Sequence, residues 1–217
     1  MDKYDCSVNC LAWAPPQYGI ILIAGLSSGN IAVIKYMANE NQWNQQTIQA
    51  HKSSVNAISI DRFSINSIDN QKASGEGNQG EVPNLKFVSC SCDNQVYEWI
   101  FNNGEWKRNK VGFHDEWVRD VAYASPNVGI NYQRIVSGGE DNKVKIWKKE
   151  GQDAEWELES EIDKEAPVWR VEFGPLGNLL SVCSGDNQTT VYKEKVVGGG
   201  EWIQDSMLNE EGVLKDK

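Results

Sequence analysis

Apolar runs of three or four residues recur along this chain, and each is followed by a tight polar turn and then an alternating stretch. The runs are Ile20 to Ile23, Leu85 to Val88, Arg134 to Val136 and Leu179 to Val182. Each reads as a buried strand. The turns that follow are Ser28-Gly29, Asp93-Asn94, Asp141-Asn142 and Asp186-Asn187. Gly and Asn tolerate positive φ, so each pair predicts a β-hairpin. In the strand after the third turn, Val144-Lys145-Ile146, alternation predicts Lys145 in water and Val144 and Ile146 in the core. Upstream of each hairpin lies one more strand: Val8 to Trp13, Val55 to Ile60, Val118 to Tyr123 and Val168 to Phe173. Val opens all four, and the residue four positions earlier is Tyr4, His51, His114 or Lys164. Downstream, Trp43, Trp106, Trp156 and Trp202 each open a last strand. The pattern therefore predicts four units of four short strands.

The turn anchors stand at 28, 93, 141 and 186, with spacings of 65, 48 and 45. A period near 45 marks a blade-type repeat. The units run over about 4–50, 51–113, 114–163 and 164–217. The long first spacing comes from a polar insertion at 64–83, SINSIDNQKASGEGNQGEVP, which reads as a solvated loop, with a partner-binding excursion as the alternative. A unit of this length anchored on His, Asp and Trp resembles the WD repeat, which implies an all-β fold, a WD-repeat β-propeller. In that family the His bonds the turn Asp and so partners a buried carboxylate. The resemblance puts His51 on Asp93, with Ser89 and Trp99 completing a network, and His114 on Asp141, with Ser137 and Trp147. The first unit (Tyr4, Ser28, Ile34) and the fourth (Lys164, Tyr192) lack the full set and are expected to rely on apolar packing.

The net charge of −10 and the pI near 4.8 argue against binding to nucleic-acid phosphates or to an anionic membrane surface. The opening MDKYDCSVNC has no apolar targeting core, and no apolar stretch is long enough to span a bilayer. Five Cys without a signal peptide read as reduced and intracellular. Cys90 and Cys92 are not in C-x-x-C spacing and read as buried structural thiols. No nucleophile elbow, metalloprotease or phosphate-cradling motif occurs, both His belong to the repeat slot, and Glu157 and Glu159 are expected to face water. The expectation is a binding platform with no catalytic residue, no cofactor and no metal. Trp117, Arg119, Trp169 and Arg170, beside the first strands of the third and fourth units, are the candidate partner contacts. The alternative for Trp117 is a cap on a neighbouring blade.

Finer detail narrows the resemblance. The runs LAWAPPQYGIILIAGLSSGNIAVIKY (11–36), HDEWVRDVAYASP (114–126), SGGEDNKVKIWKKE (137–150) and VWRVEFGPLGNLLSVCSGDNQTTVYKE (168–194) look like the WD-repeat small subunit of the COPII outer vesicle coat, the Sec-thirteen type. The resemblance implies a non-enzymatic scaffold with an open six-bladed propeller, of which four blades are present and the first two are lacking, as in a fragment or a truncated gene. It implies a large α-solenoid coat or pore scaffold protein as partner, contributing a blade in trans. It also implies placement at the cytoplasmic face of the endoplasmic reticulum, on COPII vesicles and in the nuclear pore complex, with a nutrient-signalling complex as a further family setting. A generic WD-repeat adaptor, such as a ubiquitin-ligase substrate receptor or signalling scaffold, is the alternative. With four blades, apolar rows such as Val168, Val171 and Phe173, or Ile31 and Val33, are expected to face water at the two open sides.

Overall fold

The computed structural model describes residues 4–62, 84–124, 132–151 and 154–208, so the insertion at 64–83 lies outside the described residues. Among these residues sixteen strands form four antiparallel sheets of four, each a meander in chain order. Sheet 1 holds β1 (Val8–Trp13), β2 (Ile21–Leu26), β3 (Asn30–Met37) and β4 (Gln42–Gln49). Sheet 2 holds β5 (Val55–Ile60), β6 (Lys86–Ser91), β7 (Gln95–Asn102) and β8 (Glu105–Phe113). Sheet 3 holds β9 (Val118–Tyr123), β10 (Tyr132–Gly139), β11 (Lys143–Glu150) and β12 (Glu157–Asp163). Sheet 4 holds β13 (Val168–Phe173), β14 (Leu179–Ser184), β15 (Gln188–Glu194) and β16 (Trp202–Leu208).

The hairpins close where the turn residues allow it. Asn94, Asn142 and Asn187 sit at φ of 67°, 62° and 61°, and Gly29 at 88°, the left-handed region that Asn and Gly enter at low cost. Every first strand carries an irregularity after its opening Val, so that Asn9, Asn56, Arg119 and Trp169 drop out of register at the same position. A bulge re-aims a side chain, and here it turns four equivalent residues toward one end of the molecule.

The sheets pack face to face in chain order, sheet 1 on 2, 2 on 3 and 3 on 4, through their first strands. No comparably packed pair of strands joins sheet 4 to sheet 1 among the described residues. Three apolar clusters fill the junctions. Ile23, Ile31, Phe87 and Trp99 lie between sheets 1 and 2, Val88, Val118, Ile135 and Trp147 between 2 and 3, and Val136, Ile146, Val168 and Leu180 between 3 and 4. Small residues let the next sheet approach. A Cβ on Gly25 would meet Val55 at 2.8 Å, and one on Gly138 would meet Val168 at 2.5 Å.

Three expectations fail here, because alternation along a strand does not say which of its faces a neighbouring sheet covers. Lys145 is buried rather than solvated; its face meets sheet 2, where Nζ donates to the Phe113 carbonyl at 3.0 Å. Glu159 is nearly enclosed, its carboxylate 2.7 Å from Arg134 Nε. Val168, Val171, Phe173, Ile31 and Val33 are all buried, because their rows face the neighbouring sheet. The bare apolar surface is instead the opposite face of sheet 1. There Leu11 and Trp13 are 61% and 54% exposed, in cross-strand rows with Ala24 and Ala32, and with Leu22 and Ile34. The corresponding face of sheet 4 is mixed, with Arg170, Glu172, Ser181 and Lys193 beside Val191 and Ile203.

Candidate functional site

Two polar sets lie under the turns of sheets 2 and 3, with matching geometry. Trp99 Nε1 donates to Ser89 Oγ at 2.9 Å, and Ser89 Oγ lies 2.8 Å from His51 Nε2. His51 Nδ1 donates to Asp93 at 3.0 Å. In sheet 3 the same path runs from Trp147 to Ser137 (2.9 Å), His114 (2.8 Å) and Asp141 (2.9 Å). Both imidazole side chains are fully enclosed, so neither ring is presented to a substrate. Each Asp also takes two backbone N–H groups, Lys52 and Gln95 on Asp93, Asp115 and Lys143 on Asp141. Burial acts to raise the Asp93 carboxyl, but the His51 hydrogen bond and the backbone donors outweigh it and bring the pKa down to about 2. Asp141 is lowered by the same opposition of burial and His114.

The backbone repeats this linkage. His51, His114 and Lys164 donate their N–H groups to Gly29, Asn94 and Asn142, each in the turn of the preceding sheet. Sheet 4 does not rely on apolar packing alone. Lys164 takes the His position, its Nζ donating to Thr190 Oγ1 at 3.0 Å and to Tyr192 OH at 3.4 Å.

The four candidate contact residues come close together. The Arg119 guanidinium lies between the rings of Trp117 and Trp169, 5.2 and 5.0 Å from their centres, and its Nε donates to Glu140 at 2.9 Å. Arg119, Trp169 and Arg170 line one cavity of about 310 Å³ with Asn9 and Asn56. Trp117 and Trp169 are each nearly half exposed. The site thus offers two aromatic faces, one guanidinium balanced by Glu140, and Arg170 at the rim.

Asn9 and Asn56, which sequence reasoning passed over, share this bulge position and staple the sheets. Asn9 donates to the Val55 carbonyl at 2.9 Å, and Asn56 to the Val118 carbonyl at 2.7 Å. Their signal in the sequence is Val-Asn at the head of two first strands. In sheet 3 the place is taken by Arg119, and the tie to sheet 4 passes to Asp120, which accepts from Val171 N at 3.0 Å. The five Cys are free thiols; burial pushes Cys10 up to about 11 and Cys90 well above the usual thiol range, so neither is a ready nucleophile. Among the described residues no group of three or more His, Cys, Asp or Glu is placed to hold a metal ion.

Comparison with known proteins follows the same residues. The "WD domain, G-beta repeat" family matches 108–148, the segment that carries His114, Ser137, Asp141 and Trp147. The "Protein SEC13 homolog" of Drosophila melanogaster is 30% identical over 93% of this chain and 56% of its own length. The "Protein transport protein sec13" of Aspergillus fumigatus is 30% identical over 93% of this chain and 64% of its own. The chain is similar to Sec13-type WD-repeat proteins along nearly its whole length. A shorter stretch is more similar still: 46% identity over 127 residues to "Protein transport protein SEC13 homolog A" of Arabidopsis thaliana. The chain spans between a little over half and two thirds of the length of the Drosophila and Aspergillus relatives.

Proposed function

We propose that this chain is a non-enzymatic scaffold subunit of the Sec13 type, working through protein contacts in the COPII coat of vesicles that leave the endoplasmic reticulum and in the nuclear pore complex. The carrying observation is the similarity, along 93% of the chain, to proteins named for protein transport. On this reading the four sheets are four consecutive blades of an open six-bladed propeller, in units of about 4–50, 51–113, 114–163 and 164–217. The uncovered faces of sheets 1 and 4 support an open arc. The apolar face of sheet 1 suits a further blade of the same kind, and the mixed face of sheet 4 suits a blade lent by a large α-solenoid partner. Trp117, Arg119, Trp169 and Arg170 are a second contact surface, at the end of the molecule where the first strands bulge. His51, Asp93, Ser89 and Trp99, with His114, Asp141, Ser137 and Trp147, hold the blades and take no part in chemistry.

Affinity purification of the tagged chain from cells tests the reading. A large α-solenoid coat or pore subunit is expected in the eluate, and the double variant Trp117→Ala, Trp169→Ala is expected to reduce its recovery. Recovery of a ubiquitin-ligase or kinase complex in its place overturns the coat reading in favour of an adaptor.

A further inference from the structure

The junction between sheets 2 and 3 is closed by a buried polar cluster, and the junction between sheets 1 and 2 has a cavity in the same place. At the closed junction Glu98 is wholly buried, and its carboxylate accepts from Trp156 Nε1 at 3.1 Å, Tyr123 OH at 3.0 Å and Asn109 Nδ2 at 3.1 Å, beside Lys149 Nζ at 3.2 Å. Lys149 and the donors outweigh the burial that acts to raise this carboxyl, and hold it below the usual range. Glu98 stands five residues after Asp93, and Lys149 eight after Asp141. The same steps from Ser28 and Asp93 fall on Val33 and Phe101. Trp106 keeps the Trp156 slot, Ile60 replaces Tyr123, and Gln46, opposite Val33, replaces Asn109. The carboxylate and its cation are therefore gone while the indole donor remains.

What is left is a cavity of about 420 Å³ walled by Ile21, Val33, Leu85, Phe101 and Trp106. Trp106 and Gln17 line it; Trp106 Nε1 is buried with no acceptor among the described residues, whereas the Gln17 side chain bonds its neighbour Tyr18. A buried donor left unpaired is costly, and an acceptor supplied from outside recovers that cost. Lys35, also in the lining, is exposed and makes no ion pair with a described residue. The junction between sheets 3 and 4 shows that an unpaired Trp in this slot is not enough. Trp202 Nε1 lacks a partner too, but Arg134, bonded to Glu159 and Glu194, lies against its ring.

We propose that the cavity between sheets 1 and 2 binds a carboxylate carried on a short apolar body, taking the place that Glu98 fills one junction further on. The carboxylate accepts from Trp106 Nε1, Lys35 supplies the counter-charge, and the apolar body lies against Ile21, Val33 and Leu85. Trp106 lines the cavity with its ring, and its Nε1 lies behind that wall, out of reach of solvent. Phe101, at the surface with its ring 5.0 Å from that of Trp106, is the side chain that turns aside to admit the ligand.

The test is isothermal titration of the full chain with hexanoate, with hexanol, and with a tripeptide ending in a free C-terminal Leu or in its amide. Hexanoate is expected to bind at least about tenfold more tightly than hexanol, the worth of one charge-assisted hydrogen bond. Trp106→Phe and Lys35→Met are each expected to remove that advantage while leaving the weak binding of hexanol in place. Val33→Glu, which installs a resident carboxylate, is expected to abolish binding of both. If hexanoate binds and the free-acid peptide does not, the ligand is a small acid; if the free-acid peptide binds better than its amide and better than hexanoate, the source is a chain terminus. Equal affinity for hexanoate and hexanol with neither peptide bound, no heat with any ligand, or binding unchanged in Trp106→Phe overturns the proposal.

Discussion

At the residue scale, stability concentrates in two carboxylates that a glance at composition would place in water. Asp93 and Asp141 each take a His and two backbone N–H groups, whereas Ser28, at the same turn of sheet 1, is exposed and receives one long bond from Asn30 N at 3.4 Å. Asp141→Ala is therefore expected to lower the urea midpoint by the equivalent of about 1–3 kcal/mol, and Ser28→Ala to leave it nearly unchanged. Acid should erase the contribution of Asp93. Its folded pKa of about 2 lies below the ordinary 3.8, so its stabilising effect is complete above 3.8 and is lost as pH falls through about 2. The shift corresponds to roughly 2 kcal/mol. Urea midpoints across that window are expected to fall more steeply for the native chain than for Asp93→Asn.

At the element scale, each sheet is specified by what it leaves room for in the next. Gly112 on β8 is the sharpest case. A Cβ there would lie 2.1 Å from Cη2 of Trp147 on β11, the ring that donates to Ser137. Neither backbone nor indole can move without disturbing the junction of sheets 2 and 3. Gly112→Ala is expected to cost about 1–3 kcal/mol by overpacking. Thermal melting of this variant beside Gly104→Ala checks the point. Gly104 has nothing within 4 Å of an added Cβ but a φ of 87°, so its loss reads backbone strain alone. A smaller shift for Gly112→Ala than for Gly104→Ala would mean that the junction is softer than its contacts imply.

At the scale of the whole molecule, the four sheets pack in chain order, and the two end sheets have unlike outer faces. The face of sheet 1 carries Leu11 and Trp13 in the open, and such patches draw partners or copies of themselves. The face of sheet 4 is studded with Arg170, Glu172 and Lys193. The chain alone is expected to self-associate on size exclusion, and Leu11→Lys with Trp13→Gln to return it toward a monomer. The matching pair on sheet 4, Val191→Lys with Ile203→Gln, is expected to have little effect. A native chain that runs as a monomer and melts cooperatively would show that the sheet 1 face needs no cover.

Sequence alone determined the unit, its strands and its turns, because these rest on local chemistry: the period of apolar runs, the tolerance of Asn and Gly for positive φ, and the fixed offsets of His, Ser, Asp and Trp. It also marked Trp117, Arg119, Trp169 and Arg170, since all four flank or sit in first strands. Only the tertiary structure decided which faces are covered. Lys145 and Glu159 alternate like surface residues but lie between sheets, where Phe113 and Arg134, distant in the chain, supply their partners. The contrast between Glu98 with Lys149 and Val33 with Phe101 has the same origin. Each is an ordinary residue on its own strand, and whether it completes a polar cluster or walls a cavity depends on the residue that the neighbouring sheet sets against it.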